Sequence, residues 1–272
     1  MDHRRRGHGS PALGAVPPAR RGVVSLTTSR ASESEASEAS EASGTPEAPG
    51  EPGEPAPAAF EVEHITGTAA DVHGRALPES IARTARVVEV TAPALVLGST
   101  QPAVAVADRG IPVVRRRSGG GAVLVGPGEL LWVEVLLPAG DRLWDDDVGR
   151  SFHWLGQVWV EALAAVGVDS AWHHGPMICT PWCRAVCFAG TGPGEVVVDG
   201  RKVVGMAQRR TRAGALFQSA ALLRWDPHVM VRLLGLEPAA APALANAAAA
   251  LSVGANDLAD AFLEALSRVS CA

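Results

Sequence analysis

Residues Val113 to Val125 read VVRRRSGGGAVLV, and the rest of the chain is organised around this stretch. The Val-rich apolar runs at its two ends suit buried strands. Between them Arg115, Arg116 and Arg117 run into Ser118 and then Gly119, Gly120 and Gly121. Glycines admit positive φ and let a backbone come close to a ligand. Successive N–H groups in such a loop form a concave anion site, and guanidinium forks match carboxylate and phosphate geometry. No Gly-Lys-Ser/Thr follows, so this is not a Walker loop, and GxGxxG spacing is absent. Taken alone, the loop is explained equally well as a glycine-rich hairpin with a solvated basic strand end.

Working outward, Ala94 to Gly98 reads as a short buried strand and Val104 to Ala107 as helix or strand. Arg109-Gly110 reads as a turn. Leu130 to Leu137 (LLWVEVLL) reads as a strand paired with the one around Ala122 to Val125. Asp145 to Asp147 precede a helix over Val148 to Val166, as acidic residues favour a helix N-terminus. Phe152, Leu155, Val158, Trp159 and Leu163 give it one apolar face, and Gly167 stops it. Ala171 to Arg184 is irregular, and Ala185 to Ala189 reads as a short strand. Glu195 to Val198, Asp199-Gly200 and Lys202 to Gln208 make a β-hairpin with a DG turn. Ala215 to Arg224 is a further strand; Pro227 to Leu234 and Ala255 to Val269 are helices. Pro238 to Ala250 is a linker or weak helix, and Glu79 to Thr91 mixes a helical start with a strand-like end. The pattern predicts an α+β class: helices packed on a mixed, largely antiparallel β-sheet.

Residues 1–58 are basic, then an SEA-type tract, with too few bulky apolar side chains to offset ordering entropy. They read as a disordered low-complexity tail, and 59–272 as one folded domain ending in a helix. The net charge of −5 argues against a nucleic-acid binder. The absence of an apolar run of membrane-spanning length argues against a membrane span, and the Arg-rich start lacks the apolar core of a secretory signal, so a cytoplasmic protein is expected. Cys179, Cys183, Cys187 and Cys271 do not make a disulfide scaffold in a chain of 272 residues. Cys179, Cys183 and Cys187, with His173 and His174, have zinc-ligand chemistry. Pro181 and the lack of a CxxC pair argue against a site, so no metal is expected.

A second informative stretch is Glu195 to Leu223, EVVVDGRKVVGMAQRRTRAGALFQSAALL. Together with RRRSGGGAV it resembles the lipoate–protein ligase and octanoyltransferase branch of the biotin/lipoate ligase superfamily. The carrying residues are Arg116 to Gly121, then Gly200-Arg201-Lys202, then Gly205-Met206-Ala207-Gln208-Arg209. The resemblance covers roughly Val87 to Leu236 and implies the family's catalytic-domain fold.

It also implies a chemistry. A loop of Arg116, Ser118, Gly119, Gly120, Gly121 and Ala122, with Gly205 and Ala207, would hold an acyl-adenylate, and Lys202 would reach the reacting carbonyl. An ammonium beside a mixed anhydride neutralises charge developing on its oxygens. The implied reaction is ATP- and Mg2+-dependent activation of lipoate through lipoyl-AMP. The acceptor would be a lysine of a lipoyl domain, in 2-oxoacid dehydrogenase subunits or the glycine cleavage H protein. Cys187, in CFAGTGPGEVVVDGRK, matches the layout of octanoyltransferases whose Cys-Phe cysteine carries the acyl group. That route takes octanoate from acyl carrier protein without ATP, through a thiolate near an ammonium. A buried strand cysteine is the plain counterpart. Leu124-Val125-Gly126-Pro127 and Phe217-Gln218-Ser219 stand where the family often has polar pairs and histidines. These departures motivate a third reading, a non-catalytic relative that binds an acyl-adenylate or a lipoyl domain.

Overall fold

A computed structural model of the chain describes residues 59–102 and 110–271. The predicted tail and the Val104 to Ala107 segment, with Arg109 of the predicted turn, lie outside the described residues. The described residues begin with strand β1 (Glu61–Gly67) and helix α1 (Ala69–Gly74), which the sequence reading did not resolve. Thr68 starts α1: its hydroxyl accepts from the Asp71 N–H while the Asp71 carboxylate accepts from the Thr68 N–H. Strands β2 (Thr84–Val90), β3 (Ala94–Leu97), β4 (Val113–Arg115), β5 (Val123–Val125) and β6 (Leu130–Pro138) follow.

A single-turn 3₁₀ helix at Arg150–Phe152 leads into α2 (His153–Ala165), where Leu155, Val158, Trp159 and Leu163 are fully buried, the face the sequence periodicity predicts. Short strands β7 (Ala171–Trp172), β8 (Ile178–Cys179) and β9 (Gly190–Thr191) precede the hairpin β10 (Val196–Val198) and β11 (Arg201–Arg210). Asp199 and Gly200 both have positive φ, 50° and 74°, as a two-residue primed turn requires. Strand β12 (Gly214–Leu222) and helices α3 (Pro227–Leu234), α4 (Ala240–Ala247) and α5 (Ala255–Cys271) complete the fold. Asp226 caps α3 ahead of Pro227, and Gly235 ends it in the left-handed region. The alanine-rich stretch is therefore helix in part.

The main sheet has seven strands in the order β1-β2-β6-β12-β11-β10-β7, antiparallel except for β1 with β2. A second sheet has the order β4-β3-β5. Along β6 the side chains alternate. Leu131, Val133, Val135 and Leu137 join the core formed with α2 and α5. Leu130 and Trp132 pack instead with Val96 and Val125 of the second sheet. Strand β6 is buried on both faces and is an interior strand of the main sheet, paired with β2 and β12. The predicted pairing of β6 with the strand around Ala122 to Val125 is thus corrected: β5 pairs with β3, and the turn at Gly126–Glu129 carries the chain into the other sheet. The predicted strand at Ala185 to Ala189 is also corrected. Cys187–Ala189 is a 3₁₀ turn, anchored when the Cys187 N–H donates to the Ala122 carbonyl.

Candidate functional site

The face of the main sheet away from α2 and α5 and the second sheet enclose an apolar cavity lined by Val96, Val123, Val125, Trp132, Phe188 and Ala220. Beside it lies a cavity of about 240 Å³ with Ser118, Gly119, Gly120 and Gly121 among its walls, together with Lys202 and Glu195. Arg116, Cys187, Met206 and Ala207 line both, so the two spaces adjoin. The glycine loop and the hairpin lysine, about eighty residues apart in the chain, therefore border one cavity, and Gly205 lines the apolar part.

The loop is shaped from within by Arg116. This buried guanidinium donates from Nη2 to the carbonyls of Gly119 (2.6 Å) and Gly121 (2.8 Å), and from Nη1 to Val96 (3.4 Å). Turning those carbonyls onto the arginine leaves the N–H groups of Gly119, Gly120 and Gly121 without a partner among the described residues. Gly120 has φ 96°, and a Cβ at Gly121 would overlap the Val186 backbone, so both positions need glycine. The Ser118 hydroxyl is buried and also unpartnered. Ala122 continues the loop into β5 and is fully buried. Arg116 thus acts as a buttress of the loop rather than a free fork, while the loop's amides retain the capacity to bind an anion.

Lys202 is 1% exposed. Its ammonium donates to the carbonyls of Cys187 (2.9 Å) and Gly190 (3.0 Å) and pairs with the Glu195 carboxylate at 2.7 Å, with the Phe188 ring 5.0 Å away. Three N–H donors thus meet three oxygens. Glu195 also accepts from the Gly192 N–H (2.6 Å) and the Met206 N–H (2.9 Å). Val203 and Val204 belong to the core beneath the helices, whereas Val123 lines the apolar cavity.

Two further features were not singled out from the sequence. Glu63, Arg86, Glu134 and Gln218 face one another across four strands, joined at 2.7 Å (Glu63–Arg86), 3.9 Å (Arg86–Glu134) and 2.7 Å (Gln218 Nε2 to Glu134). Burial raises the Glu134 carboxyl above its ordinary range, a push opposed by Gln218 and then Arg86. His73, tilted over Trp132 at 4.7 Å, lines the apolar cavity, and burial with the nearby Arg116 charge lowers its pKa to about 4.

The cysteines divide. Cys179 and Cys183 form a disulfide, so two of the thiols weighed as zinc ligands are committed to each other. The His173 ring is bonded to the Pro176 carbonyl (2.7 Å), and His174 stacks on Trp172. Cys187 is a free thiol at the junction of the two cavities. No helix among the described residues is long and apolar enough to cross a membrane.

The mixed, largely antiparallel sheet with its helix layer is a fold shared with a solved lipoate-protein ligase. The chain belongs to the lipoyl protein ligase A/B catalytic domain family, whose model matches residues 73–266. Among solved structures, lipoate-protein ligase A bound with ATP aligns with TM-score 0.60 at 17% identity, over 78% of this chain and 85% of that one. A bi-partite lipoate protein ligase from Thermoplasma acidophilum, described with its E2 lipoyl domain, aligns with TM-score 0.59 at 16% identity, over 78% and 84%. A T. acidophilum structure with bound lipoic acid aligns at 0.59 and 17%, over 78% and 86%. At such identities the likeness is one of fold. No curated protein matches the chain in sequence.

Proposed function

We propose that this chain is a lipoate–protein ligase-like enzyme that activates lipoate, or a related fatty acid, with ATP and transfers it to a lysine of a lipoyl domain. The observation that carries this reading is the shared cavity, with unpartnered loop amides and the Lys202 ammonium on its walls and an apolar space adjoining it. The acyl chain lies in the apolar cavity. The adenylate phosphate takes the N–H groups of Gly119 to Gly121, and the acyl carbonyl faces Lys202. Since every Lys202 N–H is already bonded, the ammonium exchanges one protein oxygen for substrate as charge grows on the carbonyl. Glu195 holds the lysine during that exchange. Support also comes from the neighbours, one bound with ATP, one with lipoic acid and one described with a lipoyl domain.

Mg2+ would arrive with the nucleotide phosphates, which commonly supply much of its coordination. Among the described residues no cluster of three or more His, Cys, Asp or Glu forms a cage for it, and Glu195 is committed to Lys202.

A second reading is favoured by the position of Cys187 at the cavity junction, its own carbonyl bonded to Lys202. In that route the Cys187 sulfur attacks the thioester of an acyl carrier protein, the carrier thiol leaves, and the acceptor amine then displaces Cys187. One assay separates the two. Purified protein is incubated with an apo lipoyl domain and either lipoate with ATP or octanoyl-acyl carrier protein. Acylation only with ATP supports the ligase; acylation from the carrier without ATP supports the transferase. Acylation from neither source sinks both.

A further inference from the structure

Two of the three oxygens that hold the Lys202 ammonium come from one short segment, Cys187 to Gly190. The Cys187 end is anchored to the loop through its N–H and the Ala122 carbonyl (2.9 Å). The Gly190 end rests on β8. Cys179 pairs with Gly190 and Ile178 with Thr191, and the Thr180 hydroxyl donates to the Ala189 carbonyl (2.6 Å). A ladder of two residue pairs is too short to hold itself. Its outer strand is also open to solvent, with Met177 and Ile178 53% and 58% exposed. The Cys179–Cys183 disulfide ties it down. Cys183 packs directly on Gly190, since a Cβ built on that glycine would lie 2.9 Å from Cys183 Cβ. The bridge therefore closes the turn after β8 onto the segment that carries the lysine's oxygens. Its two ends differ in setting: Cys179 is exposed, and Cys183 lines the reaction cavity. A disulfide with an exposed sulfur is open to thiolate attack, the labile and regulatory kind rather than the buried structural kind.

We propose that the Cys179–Cys183 disulfide is a redox switch that positions Lys202: the oxidised form fixes the ammonium at the cavity wall, and reduction by a dithiol releases it. A thiolate of the dithiol attacks Cys179 Sγ, and the Cys183 thiolate leaves and takes up a proton. The second thiol of the reductant then displaces Cys179 from the mixed disulfide. Both cysteines end as thiols and the reductant as a disulfide, so two electrons pass to the bridge. Once reduced, β8 keeps only its two-pair ladder and Gly190 loses its support. The ammonium then loses one of the three oxygens that set its direction. Misplacing a charged group by about 1 Å is enough to slow chemistry on the order of a hundredfold. The kinetic half of this inference rests on the reading above; the burial of Lys202 does not.

Lys202 is the chain's one lysine, so its exposure can be read directly by acetic anhydride labelling and peptide mass spectrometry. The full chain is labelled after oxidation with oxidised glutathione and again after dithiothreitol, beside Cys179→Ser. Lys202 should label at least about tenfold faster in the reduced protein, as local opening exposes it. Cys179→Ser should label at the reduced rate with or without dithiothreitol. The kinetic readout is ATP-dependent transfer of octanoate, chosen because dithiothreitol would reduce the lipoate ring. On reduction kcat should fall about tenfold with KM for ATP unchanged, since the loop amides lie on a separate segment, and reoxidation should restore it. The proposal is overturned if Lys202 labels equally in both states. It is also overturned if Cys179→Ser labels as slowly as the oxidised wild type, or if the oxidised chain shows no Cys179–Cys183 bridge in a peptide map. Redox-dependent labelling without acyl transfer in either state keeps the switch and rejects the proposed function. Acyl transfer with labelling indifferent to reduction does the reverse.

Discussion

The Lys202 ammonium and the Glu195 carboxylate meet at 2.7 Å with both side chains withdrawn from solvent. Glu195 immediately precedes the hairpin's first strand and Lys202 lies in its second, so the DG turn brings the charges together. Removing one member leaves the other buried and unpaired, at a cost of about 3–5 kcal/mol. Glu195→Ala should therefore lower the urea midpoint markedly. Adding Lys202→Met to that variant should restore part of the stability while leaving no transfer activity. If Glu195→Ala unfolds at the wild-type midpoint, the pair does not hold the hairpin.

Gly205 offers a change that displaces the lysine and the Phe188 ring without removing a charge. A Cβ there would lie 3.1 Å from both Lys202 Cε and Phe188 Cζ. Gly205→Ala should push the ammonium off its oxygens, lowering kcat by about tenfold or more if roughly 1.4 kcal/mol of transition-state contact is lost. The melting temperature should change much less than for Glu195→Ala. Steady-state kinetics and thermal melts on the same preparations check both halves.

His73 makes stability depend on pH. Its folded pKa of about 4 lies below the ordinary 6.5, so between these values the unfolded chain binds the extra proton. Stability from keeping this ring neutral is present above about 6.5 and is lost as pH falls toward 4. Urea midpoints measured from pH 7 to pH 4 should fall more steeply for the wild type than for His73→Phe. Parallel curves would show that the ring is not held neutral by its surroundings.

Cys187 distinguishes the routes. Through an adenylate, Cys187→Ala keeps ATP-dependent transfer, because its contact to Lys202 is made by the backbone carbonyl, which the substitution retains. Loss of ATP-independent acylation from octanoyl-acyl carrier protein in a variant that still melts normally would argue for the thioester route.

What the sequence made legible follows from how local each signal is. The hairpin was readable because Asp199-Gly200 supplies two positive φ angles in adjacent residues. The main helix was readable because Leu155, Val158, Trp159 and Leu163 repeat with the helical period. The pairing of Leu130 to Leu137 was misread because a strand apolar on both faces carries no alternation to name its partners. Ala185 to Ala189 misled for a related reason, since a short apolar run fits a strand or a buried turn equally. Glu195 was passed over because its partner lies across a turn. Its signal was a carboxylate opening a buried valine run, which needs a counter-charge. Gln218 and Glu134 meet only through the register of β12 on β6.

The most direct measurement is an experimental structure of the protein with a non-hydrolysable lipoyl-adenylate analogue. The acyl chain is expected beside Trp132 and Val123, the phosphate within hydrogen-bond distance of the Gly119 to Gly121 amides, and the acyl carbonyl within reach of Lys202 Nζ. An analogue bound elsewhere, or bound in the cavity with Lys202 still holding all three of its protein oxygens and no contact to ligand, would contradict this arrangement.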